Sequence, residues 1–194
     1  MRSATIQRDT KETKISLTLG LDGETKTEVG TGVGFFDHML TLMGAHGGMQ
    51  LSIACQGDLE VDLHHTVEDV GIVLGQALKQ ALGDKKGITR YGTAFVPMDE
   101  SLAMVCLDIS GRPFVVYDVE DSGPQTEAFN IQIAEEFLRA FATHSGITLH
   151  VRLLYGKNTH HVLEAVFKAL GRALNQAVAL TGSDAVPSTK GMLD

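Results

Sequence analysis

The sequence predicts an α+β fold: two tandem, pseudo-symmetric β-β-α-β-α halves packed as one globule, with helices covering one face of each sheet. Three observations predict it. An internal repeat runs through most of the chain, each copy reads as strand, strand, helix, strand, helix, and no Pro/Ser-rich linker separates the copies. "HHTVEDVGIVLGQAL" from His64 aligns with "HHVLEAVFKALGRAL" from His160 at an offset of 96 residues. Upstream, "MLTLMGAHGGMQLSI" from Met39 aligns with "FLRAFATHSGITLHV" from Phe137 at an offset of 98, superposing His46 on His144. The first copy therefore carries two extra residues in the loop between.

The elements follow in order. "ISLTLGLDGETKTEV" reads as strand, DG turn, strand, and "SLAMVCLDISGRPFVVYDV" as strand, SG turn, strand. The first half, residues 8–92, has predicted strands at 14–21, 24–29 and 49–55 and helices at 36–45 and 65–82. The second, residues 93–182, has strands at 102–109, 113–118 and 147–154 and helices at 130–143 and 160–179. Gly83 and Gly182 follow the two long helices as C-caps. The tail, 183–194, belongs to neither copy.

A chain of 194 residues forms one domain with a substantial core. Its net charge of −8 argues against a nucleic-acid-binding surface, so a phosphate it meets belongs to a small ligand held by local cations. No apolar run approaches the roughly 18 residues of a membrane span, and "MRSATIQRDTKET" lacks the apolar core of a signal peptide. The expectation is a soluble, cytoplasmic protein. Cys55 and Cys106 lie in apolar, strand-like runs without a CxxC partner and read as buried, reduced thiols. "GTGVG" at Gly30–Gly34 lacks the strand and helix context of a dinucleotide site and reads as a turn.

The doublets carry the chemistry. Helix positions i and i+4 share a face, whereas i and i+1 diverge by about 100°. His64 can converge with Glu68, and His160 with Glu164, while His65 and His161 look elsewhere. A pseudo-two-fold between the halves would let His65 and His161 each serve the opposite pair, giving two ions with ligands from both copies. Further ligands should be repeat-related: His38 matches Glu136 at the offset of 98, and His46 with His144 is the competing pair. Imidazole and carboxylate suit Mn²⁺, Fe²⁺ or Zn²⁺, and the absence of thiolate leans toward octahedral manganese or iron. A single histidine at a helix start is usually a cap or a satisfied surface group. Apolar packing has no need of imidazole at four matched positions.

"FFDHML", "DLHHTVEDVGIVLGQAL", "GITRYG", "PMDESLA", "DISGRPF", "GKNTHHVLEAVFKALGRAL" and "PSTKG", spanning about Arg8 to Gly191, together resemble the imidazoleglycerol-phosphate dehydratase family in its monofunctional form. The resemblance implies dehydration of D-erythro-imidazole glycerol phosphate to imidazole acetol phosphate in histidine biosynthesis. It also implies two Mn²⁺ per active site and a homo-24-mer shell with active sites between subunits. One ion would take His38, His65, His160 and Glu164; the other His64, Glu68, His161 and Glu136. Histidine is expected in many family members where Glu136 stands, so Glu135, His144 or water are the alternatives there. Substrate contacts map onto Glu12, His46, Arg90, Arg112, Lys168, Ser188 and Lys190. Arg90, Arg112, Lys190 and the Ser188 hydroxyl are apt donors to a phosphate, with the tail closing over it. The metals would act as Lewis acids on the substrate imidazole, and Glu12, Glu68 and Glu164 are the candidate bases for the C–H proton. Two other classes remain: a metal-dependent phosphate-ester hydrolase, and a metal-storage or scaffold protein, which the scattered cations do not suit.

Overall fold

Each half opens with a strand that the sequence pattern conceals. In the computed structural model, which describes residues 1–120 and 129–193, β1 (Ser3–Asp9) and β5 (Tyr91–Met98) lie at the outer edges of two sheets. Both are poor strand signals. Ala4 is the only buried residue of β1, and β5 contains Gly92 and Pro97. Proline is tolerated on an edge because its missing N–H leaves no gap in a central ladder.

The remaining elements alternate twice in the same way. β2 (Thr13–Gly20), β3 (Lys26–Gly30), α1 (Gly34–His46), β4 (Gln50–Gly57) and α2 (His64–Leu82) complete the first half. β6 (Ser101–Asp108), β7 (Phe114–Asp118), α3 (Ile131–Ser145), β8 (Thr148–Tyr155) and α4 (Thr159–Val178) complete the second. The sheet orders are β1-β2-β4-β3 and β5-β6-β8-β7, so the duplication holds at the level of topology. β4 runs antiparallel to β2 and parallel to β3, and β8 does the same between β6 and β7. The DG and SG segments are therefore not hairpin turns. α1 or α3 carries the chain back from the outer strand and inserts the next strand between the two that the turn connects. The tight hairpins are β1–β2 and β5–β6, the latter closed by Asp99 and Glu100 with Met98 opposite Ser101.

The four helices lie between the two sheets. α2 covers β1 and β2, α1 covers β3, α4 covers β5 and β6, and α3 covers β7. Across the seam α2 packs on α3, and α1 on α4. Phe36, Phe137, Phe141 and Phe167 are almost wholly buried there, with Phe137 stacked on Phe167 at 5.6 Å and edge-on to Phe36 at 5.3 Å. Each such side chain contributes roughly 1.5–3 kcal/mol by leaving water. Glycine permits the close approach. A Cβ at Gly75 of α2 would stand 2.6 Å from the Phe141 carbonyl oxygen on α3, and its repeat mate Gly171 of α4 abuts the Met43 carbonyl on α1. This cross-half packing positions the site, because it sets His38 of α1 beside the first turn of α4.

Gly83 caps α2 as expected, with φ 57°. Gly182 does not cap α4, which ends at Val178 with Ala179 after it. The reason is tertiary: Arg90 N donates to the Ala177 carbonyl and Thr89 N to that of Ala179, and Ile88 bridges to Leu180. The final carbonyls of the helix are satisfied by a distant segment, so no glycine cap is needed.

Candidate metal centre and anion cleft

The first turn of α4 is set by Asn158, whose side-chain oxygen accepts from His160 N at 3.0 Å and His161 N at 3.4 Å. One turn further, Glu164 faces back along the helix. Its Oε1 lies 3.0 Å from both His160 Nε2 and His38 Nε2. The three ligand atoms fall within 4.8 Å of one another, with ligands drawn from both halves of the repeat. Glu164 is only 7% exposed, while His38 and His160 open to solvent. Lys168 Nζ sits 2.5 Å from Glu164 Oε2 and 3.3 Å from Met98 Sδ. Burial pushes the Glu164 carboxyl up, but Lys168, His38 and His160 together outweigh it and hold it down at about 2. Phe35 packs on the His160 ring at 4.8 Å, limiting its swing.

The first-half doublet is looser. His64 Nε2 lies 3.8 Å from Glu68 Oε2. In both doublets the neighbouring rings stand nearly perpendicular, 85° for His64 and His65 and 88° for His160 and His161. His65 and His161 do turn away from their own helix's pair, as the helix geometry requires. His65 Nδ1 meets Asp58 at 2.9 Å and its Nε2 stands 3.9 Å from Glu12. His161 Nδ1 meets Glu100 at 2.6 Å and its Nε2 stands 3.7 Å from Asp99. Hydrogen bonds donated to these carboxylates raise both imidazole pKa values. Within one chain, then, His65 does not join the His38, His160 and Glu164 group. Glu136 is half-buried on α3, the repeat mate of His38 on α1. Its sequence alternatives are engaged elsewhere: Glu135 pairs with Arg139 at 2.5 Å, and His144 Nδ1 donates to the Ala140 carbonyl at 2.9 Å.

The expected phosphate contacts form a second feature. Arg90, Tyr91, Arg112, Ser188, Thr189 and Lys190 line a cleft of about 480 Å³ against the tail. Arg90 is held bidentately by Asp108, at 2.7 and 3.1 Å, and donates to the Pro187 carbonyl at 2.9 Å. Its φ of 77° is a strained conformation for a non-glycine residue, fixed by backbone bonds to Ala177 and Ile109. Arg112 is exposed, 3.9 Å from Asp108. The three remaining expected contacts lie outside this cleft, Glu12 among them on the β1–β2 hairpin, 3.9 Å from His65 Nε2. Lys168 serves Glu164, and His46, at the far end of α1 from His38, borders a separate cleft with Thr93, Arg172 and Asn175.

Four residues escaped the sequence pattern: Asn158, Phe35, Asp58 and Glu100. Asn158 was legible as an Asx cap two residues before the doublet. Asp58 and Glu100 were not, since loops bring them to the histidines. Cys55 and Cys106 are free, as expected, but half-buried rather than enclosed. Cys55 shares the inward face of β4 with Leu51 and Ile53 and packs at the margin of the core, whereas Cys106 lies on the face of β6 opposite the buried Ala103, Val105 and Leu107.

Fold and site together define a class: a duplicated α+β protein with an imidazole–carboxylate centre at the seam of its halves and a cationic cleft beside its tail. The family model for imidazoleglycerol-phosphate dehydratase matches residues 31–174. A curated imidazoleglycerol-phosphate dehydratase from Heliobacterium modesticaldum is 57% identical over 195 residues, covering 100% of each chain. The crystal structure of that enzyme from Pyrococcus furiosus, in complex with (S)-C348, superposes with a TM-score of 0.85 at 39% identity, over 97% of this chain and 100% of that one. The Staphylococcus aureus N315 structure gives 0.83 at 42%, over 92% and 99%. The chain belongs to the imidazoleglycerol-phosphate dehydratase family, whose members are hydro-lyases of histidine biosynthesis. Among the described residues, no helix is long and apolar enough to cross a membrane.

Proposed function

We propose that this chain removes water from D-erythro-imidazole glycerol phosphate to give imidazole acetol phosphate, at a centre holding two Mn²⁺. The observation that carries the reading is the convergence of His38, His160 and Glu164 from opposite halves. Two imidazole nitrogens and a depressed carboxylate, with no thiolate, form a donor set that suits a hard-to-borderline divalent ion. The repeat supplies the second set: His64, Glu68 and Glu136, with His65 and His161 as the cross-serving ligands. Bound Mn²⁺ would supply Lewis acidity at the two ring nitrogens of the substrate, easing loss of the neighbouring C–H proton.

The protein's own residues divide the remaining work. Arg112, Lys190 and the Ser188 hydroxyl hold the phosphate, while Arg90, locked by Asp108, supports the tail that carries Ser188 and Lys190. Glu12 takes the C–H proton. It is exposed on the β1–β2 hairpin beside His65, whereas Glu164 is tied to three partners and Glu68 is set to ligate. Lys168 stabilises Glu164 as a carboxylate.

Assembly into a 24-subunit shell fits two features. His65 and His161 face away from the His38 group within the chain, which suits ligation between copies. The outer faces of the two sheets also differ: the first shows Thr5, Ser16, Thr18 and Ser52, the second Tyr91, Phe95, Phe114 and Tyr155, each of these four more than half exposed. Apolar patches of this kind mark contact surfaces.

The test is incubation with imidazole glycerol phosphate and Mn²⁺, following the keto product. Release of inorganic phosphate in place of that product would overturn the reading in favour of a hydrolase.

A further inference from the structure

Each second doublet histidine is gripped from behind. Asp58 Oδ2 lies 2.9 Å from His65 Nδ1, and Glu100 Oε2 lies 2.6 Å from His161 Nδ1. A carboxylate only accepts, so in the neutral imidazole Nδ1 carries the proton and Nε2 keeps its lone pair. The first histidines of the doublets differ: His64 and His160 approach their own helix's glutamate through Nε2.

The two carboxylates are not repeat mates. Asp58 follows β4 and matches Gly156 at the offset of 98; Glu100 precedes β6 and matches Glu12 at an offset of 88. The same contact has therefore been built twice from different elements, which simple duplication of one residue does not produce. Each carboxylate is itself fixed. Glu100 Oε1 accepts from Asn158 N at 2.9 Å, Ser101 Oγ at 3.0 Å and Lys157 N at 3.3 Å. Asp58 N donates to the Glu12 carbonyl at 3.0 Å, and Asp58 Oδ1 is buried with no hydrogen-bond partner, while Oδ2 accepts from His65 Nδ1.

We propose that Asp58 and Glu100 are positioning residues that hold His65 and His161 in the tautomer and orientation needed to ligate a divalent cation through Nε2. This rests on the two-ion reading above. Carboxylates behind ligating imidazoles fix the ring and raise its basicity, and their loss weakens metal binding by about 10–100-fold. Glu100→Ala should impair the ion served by His161, and Asp58→Ala the ion served by His65.

The test titrates the intact protein with Mn²⁺ alone, following free Mn²⁺ by electron paramagnetic resonance. Anomalous diffraction at the manganese edge then reads the occupancy of each ion. Each variant should weaken one ion by about 10–100-fold and leave the other at wild-type occupancy, with urea unfolding of the metal-free protein unchanged. Wild-type affinity at both ions in either variant would overturn the inference. Equal weakening at both ions, or a matching loss of metal-free stability, would also do so, showing a merely structural role. Wild-type protein that takes up no Mn²⁺ would instead overturn the two-ion reading itself.

Discussion

Glu164→Gln offers a sharp test of the centre, because the metal-free protein already responds to it. The substitution keeps the shape and removes the charge that Lys168, His38 and His160 share at 2.5, 3.0 and 3.0 Å. The carboxyl is held down from 4.5 to about 2 in the folded protein. At about 1.4 kcal/mol per pH unit, the ionised side chain stabilises the fold by on the order of 3 kcal/mol at neutral pH. Because the folded value lies below the unfolded one, that contribution is complete above about pH 4.5 and is lost as pH falls toward 2. Urea unfolding of metal-free wild type and variant at pH 7, 5 and 3 reads it directly. The gap should be about 3 kcal/mol at pH 7 and less than half of that at pH 3. A gap independent of pH, or none at pH 7, would refute the picture of a charge-stabilised Glu164.

Other perturbations separate site from scaffold. Glu68→Gln should lose Mn²⁺ and nearly all dehydratase activity while circular dichroism stays native; full activity without metal would contradict the centre. Glu12→Gln should retain both ions and substrate binding but lose turnover by about 10²–10⁴-fold, the range for a general base, checked by steady-state kinetics with Mn²⁺ uptake measured in parallel. Gly75→Ala should lower the melting temperature, since overpacking costs about 1–3 kcal/mol against about 1 gained in helix propensity; an unchanged melt would mean that α2 and α3 are not in close contact. Burial, followed by the nearby Asp69 and Asp37 charges, pushes the Cys55 thiol up to about 11 from 9.0. At pH 8 its alkylation by iodoacetamide should therefore run about 100-fold slower than that of a free thiol, as read by mass spectrometry.

The sequence by itself determined what is local or duplicated. Helix periodicity placed α2 and α4 within a residue or two, and the i, i+4 spacing paired His160 with Glu164 and turned His161 aside. The offset of 98 paired His38 with Glu136 by position alone. The family motifs named the residues that converge on the tail cleft. Tertiary structure decided what depends on packing between distant segments. Edge strands β1 and β5 gain their order from one neighbour and one helix, so their own pattern is faint. β4 and β8 insert between strands that looked like hairpins, because crossover helices return them there. Arg90 and Thr89, not Gly182, finish α4. His38 meets Glu164 across 126 residues only because Gly171 lets α1 press against α4. The grip of Asp58 and Glu100 on the second histidines has no local signature at all: a carboxylate in a loop acquires that role only when the fold delivers an imidazole nitrogen to within hydrogen-bonding distance.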